Sequence, residues 1–202
     1  MGALTLSNLT KSFEEKALFS NLSFAFPESG LFLLLGESGS GKTTLLRMIA
    51  GFDTAYSGSI DGGGKENVSM AFQEHRLLPS LSALGNVAEV LRAQGMPREG
   101  ATAAAREALL TVGLDEADLA LRPSALSGGM RQRVSLARAF ALKRPILLLD
   151  EPEKELDAQL KSRLYDIIKR ESKERLLIVS THTPVDLLRI ADGTLRIAPQ
   201  NA

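Results

Sequence analysis

Gly36-Glu37-Ser38-Gly39-Ser40-Gly41-Lys42-Thr43 sets glycines, a lysine and a hydroxyl at a spacing suited to cradling phosphates. Glycines let the backbone curl with its N–H groups pointing inward, and a helix opening near Lys42 adds the positive end of its dipole. Lys42 then meets the β- and γ-phosphates, and the Thr43 hydroxyl is available to the Mg2+ that travels with the nucleotide. A flexible Gly/Ser turn is the plainer reading of the same octapeptide. The apolar run Leu31–Leu35 before it and the helical run Thr44–Ala50 after it supply the strand–loop–helix frame that favours nucleoside triphosphate binding.

Two further stretches carry chemistry. Asp150-Glu151 follow four apolar residues, which puts two carboxylates at the carboxyl end of a buried strand, the ligand edge of an open parallel sheet. There Asp150 would hold Mg2+, directly or through water, and Glu151 would polarise a water for in-line attack on the γ-phosphorus. An acidic helix N-terminus is the alternative. In Leu126-Ser127-Gly128-Gly129-Met130-Arg131-Gln132-Arg133, a Ser N-cap and two glycines open a helix whose first N–H groups make a second anion site, unless the stretch is only a linker.

Composition narrows the partners. Lys+Arg and Asp+Glu both number 24, so there is no net charge from which to expect a nucleic-acid-binding face. The absence of Cys excludes disulfides, thiolate metal sites and Cys nucleophiles, and fits a reducing compartment. The apolar runs are strand length, well short of the ~18 residues of a spanning helix. No basic n-region precedes an apolar stretch at the N-terminus, and cytoplasmic residence is the expectation.

The elements that must position these residues follow from periodicity. Alternation at Leu4, Leu6, Leu9 and at Leu22, Phe24, Phe26 predicts antiparallel strands before the turn Pro27–Gly30. Short strands are expected at Ile60 and Val68–Phe72. Helical spacing then takes over between Leu77 and Leu142, with an Ala-rich helix from Pro97 to Val112 and another from Met130. The strand Ile146–Leu149, a helix over Ala158–Arg170, the strand Leu176–Val179 and a helix over Pro184–Ile190 complete a parallel sheet covered on both faces.

The order of phosphate loop, Leu-Ser-Gly-Gly and apolar strand–Asp-Glu resembles the ATP-binding cassette (ABC) ATPases over nearly the whole chain, since Leu-Ser-Gly-Gly is that family's signature. The resemblance implies an α/β P-loop NTPase with a RecA-like parallel sheet core, an N-terminal antiparallel β edge and an inserted helical subdomain. The core would span 1–73 and 143–202, and the subdomain 74–142. Gln73 matches the glutamine loop that touches Mg2+ and the attacking water, and His182 matches the switch histidine that contacts the γ-phosphate. Phe13 matches an aromatic that stacks on adenine. Thr44 matches a residue contacting the α-phosphate, and Asp157 the end of a loop that crosses the dimer interface.

One stretch departs from the family. Where Ser-Ala-Leu-Asp is usual, this chain reads Lys154-Glu155-Leu156-Asp157, preceded by Glu153, and the added charges would alter a close interface. Because the signature of one subunit closes over the nucleotide of the other, the resemblance implies a second ATPase subunit, most simply an identical copy, with two ATP molecules between them. It also implies transmembrane permease subunits, with a solute-binding protein in an importer, and hence a place on the cytoplasmic face of the membrane. Phe72–Pro79 with Asn86-Val87 is similar to importer cassettes for nitrate, sulfonate and taurine, although Ser80 stands where those often carry Trp. The other expectations are a cassette driving soluble machinery and a nucleotide sensor with little hydrolysis.

Overall fold

The computed structural model describes residues 4–13, 16–182 and 185–197, with only the backbone of Phe13 and Lys16. They fall into two compact units: one drawn from Met1–Met70, Arg144–Glu151 and Ile168–Ala202, the other from Ala71–Lys143 and Pro152–Ile167.

In the first unit, β1 (Thr5–Phe13) pairs antiparallel with β2 (Lys16–Ala25) and with β4 (Ser57–Asp61), giving a sheet of order β2-β1-β4. A five-stranded sheet runs in the order β5-β6-β7-β3-β8, from β3 (Gly30–Leu35), β5 (Val68–Ala71), β6 (Ile146–Asp150), β7 (Leu176–Ser180) and β8 (Gly193–Arg196). β3 is parallel to both β7 and β8, and β6 is parallel to β7. Every residue of β6 and β7 is buried, which is why both read as unbroken apolar runs instead of alternating ones. Leu34, Leu148 and Ile178 from this sheet share a core with Leu6 and Leu9 of β1 and with Leu45, Met48 and Ile49 of α1 (Lys42–Ile49). Phe26 anchors one end of it, with ring centroids 4.6 Å from Phe24 and 5.4 Å from Phe32.

Sequence periodicity did not reveal β8. It completes the sheet beside β3, and Asp192 just before it accepts the Leu31 N–H at 2.7 Å. Of the expected last helix, Pro184 lies outside the described residues and α6 covers Val185–Leu188.

The second unit is helical: α2 (Ala83–Ala93), α3 (Arg98–Thr111), α4 (Gly128–Ala141) and the first part of α5 (Ala158–Glu171). α3 buries Ala101, Ala105 and Leu109 at four-residue spacing, a narrow stripe of mostly small side chains. Two of its last carbonyls are met by one arginine: Arg163 donates to Thr111 O at 2.8 Å and Leu110 O at 2.9 Å. The buried Asn86 amide ties down the preceding loop, accepting from Leu78 N at 2.7 Å and donating to Leu78 O, Leu81 O and Ser82 O at 3.0–3.3 Å.

Candidate nucleotide site

β3 delivers Leu35 straight into the glycine loop. Glu37, Ser38 and Gly39 form an exposed tip, while Ser40 and Lys42 are buried. Gly41, at φ 99°, is the N-cap of α1 in a left-handed conformation, and a Cβ there would lie 2.8 Å from the Phe19 ring, so geometry and packing both demand glycine. Gly36 is closed in differently: a Cβ would meet Ser40 Oγ and the Ile197 carbonyl. Among the described residues no side chain caps α1, which leaves the N-terminal dipole end open to an anion. Lys42 Nζ is folded back into its own loop, donating to Gly36 O at 2.8 Å and Glu37 O at 2.9 Å. Thr43 and Thr44 occupy the first turn of α1, both partly buried.

The carboxyl ends of β3, β6 and β7 lie side by side, because β7 sits between the other two. Thr43 Oγ1 therefore reaches Asp150 Oδ2 at 2.8 Å, across 107 residues of sequence. Asp150 and Ser180 are directly paired in the β6–β7 register, and the Ser180 hydroxyl donates to Asp150 Oδ1 at 2.5 Å. One residue further, Glu151 turns into a left-handed conformation at φ 51°, its N–H meeting Ser180 Oγ at 3.2 Å and Ser180 O at 3.1 Å. Glu151 Oε1 lies 2.6 Å from His182 Nε2. The structure thus brings together Gly36 to Thr44, Asp150, Glu151 and His182. It adds Ser180, whose only trace in the sequence is a hydroxyl at the end of an apolar strand.

Gln73, Ser127, Gly128, Gly129 and Asp157 belong to the second unit. Gln73 is exposed in the bend after β5. Ser127 caps α4 by accepting from Met130 N at 3.2 Å, and Gln132 of the same helix donates to Pro152 O at 2.9 Å. Asp157 caps α5 through Leu160 N, 2.9 Å away. The Glu155 backbone, itself at φ 63°, runs against Gly129, and its carboxylate covers Gly128: a Cβ on Gly128 would overlap Glu155 Oε2. Burial pushes the nearby His75 imidazole below the ordinary histidine range; Glu155 opposes that shift, and Arg131 and Lys154 reinforce it. Phe13 ends β1, and its side chain lies outside the described residues.

A hydroxyl and a carboxylate 2.8 Å apart beside an open helix N-terminus are hard oxygen donors, the set that Mg2+ takes together with phosphate oxygens. The residues present fit that ion and a polyphosphate.

A family profile described as ABC transporter matches residues 19–154. The chain is 41% identical to the Fe(3+) ions import ATP-binding protein FbpC 1 of Rhizobium meliloti (strain 1021), over 95% of this chain and 57% of that protein. It is 35% identical to the aliphatic sulfonates import ATP-binding protein SsuB 1 of Paracoccus denitrificans (strain Pd 1222), over 96% of this chain and 78% of that one. Among solved structures, the ATP-binding cassette MJ0796, in a dimeric post-hydrolysis state bound to ADP and Pi, superposes with a TM-score of 0.89 at 27% identity, covering 98% of this chain and 97% of that one. This chain belongs to the ABC transporter family, with the α/β fold of an ATP-binding cassette. It spans 57% of the length of the ferric-ion relative.

Proposed function

We propose that this chain is the ATP-hydrolysing subunit of an ABC importer, working as a pair of cassettes that closes over two ATP molecules and reopens after hydrolysis. The observation that carries the reading is the joined set at three adjacent strand ends, Thr43 with Asp150 at 2.8 Å and Glu151 with His182 at 2.6 Å. Import is favoured over soluble machinery because both named relatives are import ATP-binding proteins. Those relatives act on ferric ions and on aliphatic sulfonates, so cargo choice is assigned to partner subunits. Those partners are permease subunits in the membrane and a solute-binding protein, which puts this chain on the cytoplasmic face. None of its described helices is long and apolar enough to cross a membrane. The functional division follows 1–73 and 143–202 for the nucleotide-binding core and 74–142 for the signature subdomain.

The mechanism rests on this chain's groups. Lys42 exchanges its bonds to Gly36 O and Glu37 O for phosphate oxygens, while the N–H groups of the loop and of Thr44 take the rest. Thr43, Asp150 and Gln73 would hold Mg2+, which would supply positive charge to offset that of the phosphates. Glu151 takes a proton from the attacking water as its oxygen bonds to the γ-phosphorus and the bond to ADP breaks. His182 orients Glu151 and contacts the γ-phosphate, and Phe13 stacks on adenine. The partner copy contributes its own Ser127, Gly128, Gly129 and Asp157 to the site, so each cradle is half of one.

The test is phosphate release from ATP and Mg2+ by the purified chain, with chromatography of Glu151→Gln plus and minus ATP. Expected are turnover by the native chain, a loss of roughly 10²–10⁴-fold in the variant, and an ATP-dependent dimer. Near-normal turnover by Glu151→Gln would overturn its role as base, and failure of the tagged cassette to co-purify with a multi-span membrane protein from the membranes of its own cells would count against transport.

A further inference from the structure

We propose that Ser180 is a positioning residue for hydrolysis, whose hydroxyl fixes the Asp150 carboxylate and, together with its own carbonyl, the backbone turn that aims Glu151 at His182. The inference rests on the reading of Asp150 as metal ligand and Glu151 as base. It assigns a role to a residue outside the phosphate loop, the carboxylate pair and the histidine.

Ser180 is fully buried at the last position of β7, directly opposite Asp150 in the parallel register. A serine hydroxyl has one proton to give. Here it goes to Asp150 Oδ1 at 2.5 Å, so the oxygen is left to accept the Glu151 N–H at 3.2 Å. Asp150 Oδ2 is taken by Thr43 Oγ1 at 2.8 Å. With a different hydroxyl on each oxygen, the carboxylate is held against rotation, and its plane is set before any cation arrives. Buried at 2% exposure, the Asp150 carboxylate also needs hydrogen-bond donors for its oxygens, and these two hydroxyls supply them.

Glu151 stands at φ 51°, a region that a glutamate enters only when its surroundings hold it there. Its N–H is shared between the Ser180 carbonyl, which continues the strand ladder at 3.1 Å, and the Ser180 hydroxyl. From that turn the side chain reaches His182, two residues beyond Ser180 on the same chain segment. One buried serine therefore couples the metal-facing carboxylate to the base. An alanine or valine would satisfy the strand equally well and supply neither bond.

Ser180→Ala and Ser180→Thr test this, each checked for folding by thermal melting. Outer-shell hydrogen-bond partners typically change activity or metal affinity by about 10–100-fold. Ser180→Ala is expected to lower kcat by about tenfold with little change in KM for ATP, and Ser180→Thr to restore most of it. Calorimetry gives a readout apart from turnover: ADP affinity without metal should be unchanged, while the gain in ADP affinity on adding Mn2+ should shrink several-fold in Ser180→Ala. Native values of both kcat and the Mn2+ gain in a folded Ser180→Ala would overturn the proposal, as would failure of the threonine to rescue. Should the alanine variant not fold, Ser180→Cys, of similar shape but a weak donor, replaces it. Absence of turnover in the native chain would overturn the proposed function, and the Mn2+ measurement would still decide the role of Ser180 toward Asp150.

Discussion

The Glu155 carboxylate lies over Gly128, the first residue of α4, where a family member of the usual pattern would carry an alanine's methyl group. Under the proposed dimer, the γ-phosphate held by the partner must approach this same helix end, so a carboxylate there opposes closure. In the Glu151→Gln background, Glu155→Ala should lower the ATP concentration for half-maximal dimer by several-fold. That corresponds to roughly 1 kcal/mol for a partly screened like-charge contact, and the effect should fade at high salt. Light scattering against ATP concentration reads it; an unchanged midpoint would mean that the carboxylate swings clear.

Lys42 is expected to be needed for affinity as well as rate. Lys42→Ala removes an ammonium that the loop already holds in place through Gly36 O and Glu37 O, and ATP binding by calorimetry should become weak or undetectable. Mixing it with a Ser127 variant should give dimers with one composite site doubly damaged and the other intact. Partial recovery of activity in the mixture would support shared, independent sites.

A pH-dependent stability term sits away from the nucleotide. The nearly buried Lys11 Nζ donates to Asp53 Oδ1 at 2.9 Å and Ala55 O at 2.7 Å. Burial alone would raise the Asp53 carboxyl, but hydrogen bonds from Lys11 and Ala55 N, with the charges of Lys11 and Arg47, bring it below its ordinary value. A depressed acid stabilises the fold above its unfolded pKa, and the contribution is lost as pH falls through the folded value. Asp53→Asn should cost about 1–3 kcal/mol in urea denaturation at neutral pH. The gap from the native chain should narrow below about pH 4, where the unfolded carboxyl is protonated. A gap constant down to pH 3 would contradict the linkage.

Asn86→Ala should strip the 78–82 loop of every side-chain bond that the Asn86 amide makes to it. Losing those bonds to partly buried backbone groups, of which Leu78 O and Ser82 O keep a backbone partner, should cost about 1 kcal/mol. Hydrogen exchange at Leu78 should speed up while that of β6 stays the same. Equal acceleration at both would point to global destabilisation instead.

The sequence made the strand–loop–helix at 31–50 legible, because a continuous apolar run, glycines and a lysine each restrict the backbone independently. The Ser127 cap was visible for the same local reason. Ser180 was not, since a serine after Val179 reads as a strand ending, and only the β6–β7 register reveals that it faces Asp150. The strand β8 is not legible in the sequence because four residues, of which Leu195 alone is buried, carry almost no periodicity. The placement of Glu155 over Gly128 joins segments 27 residues apart and could not be read from either alone.

The neighbours of β3 have a consequence for synthesis. The strand that ends in the phosphate loop is emitted early, yet its partners are β7 and β8, and the Ile197 N–H bonds to Leu35 O while the Ile197 carbonyl walls in Gly36. On the ribosome the cradle's sequence is therefore present long before the cradle exists, with an apolar strand awaiting residues more than 140 positions downstream. A nascent chain gains the power to grip nucleotide only once β7 and β8 have been made, so ATP itself would act as a stabiliser that arrives well after the phosphate loop is synthesised.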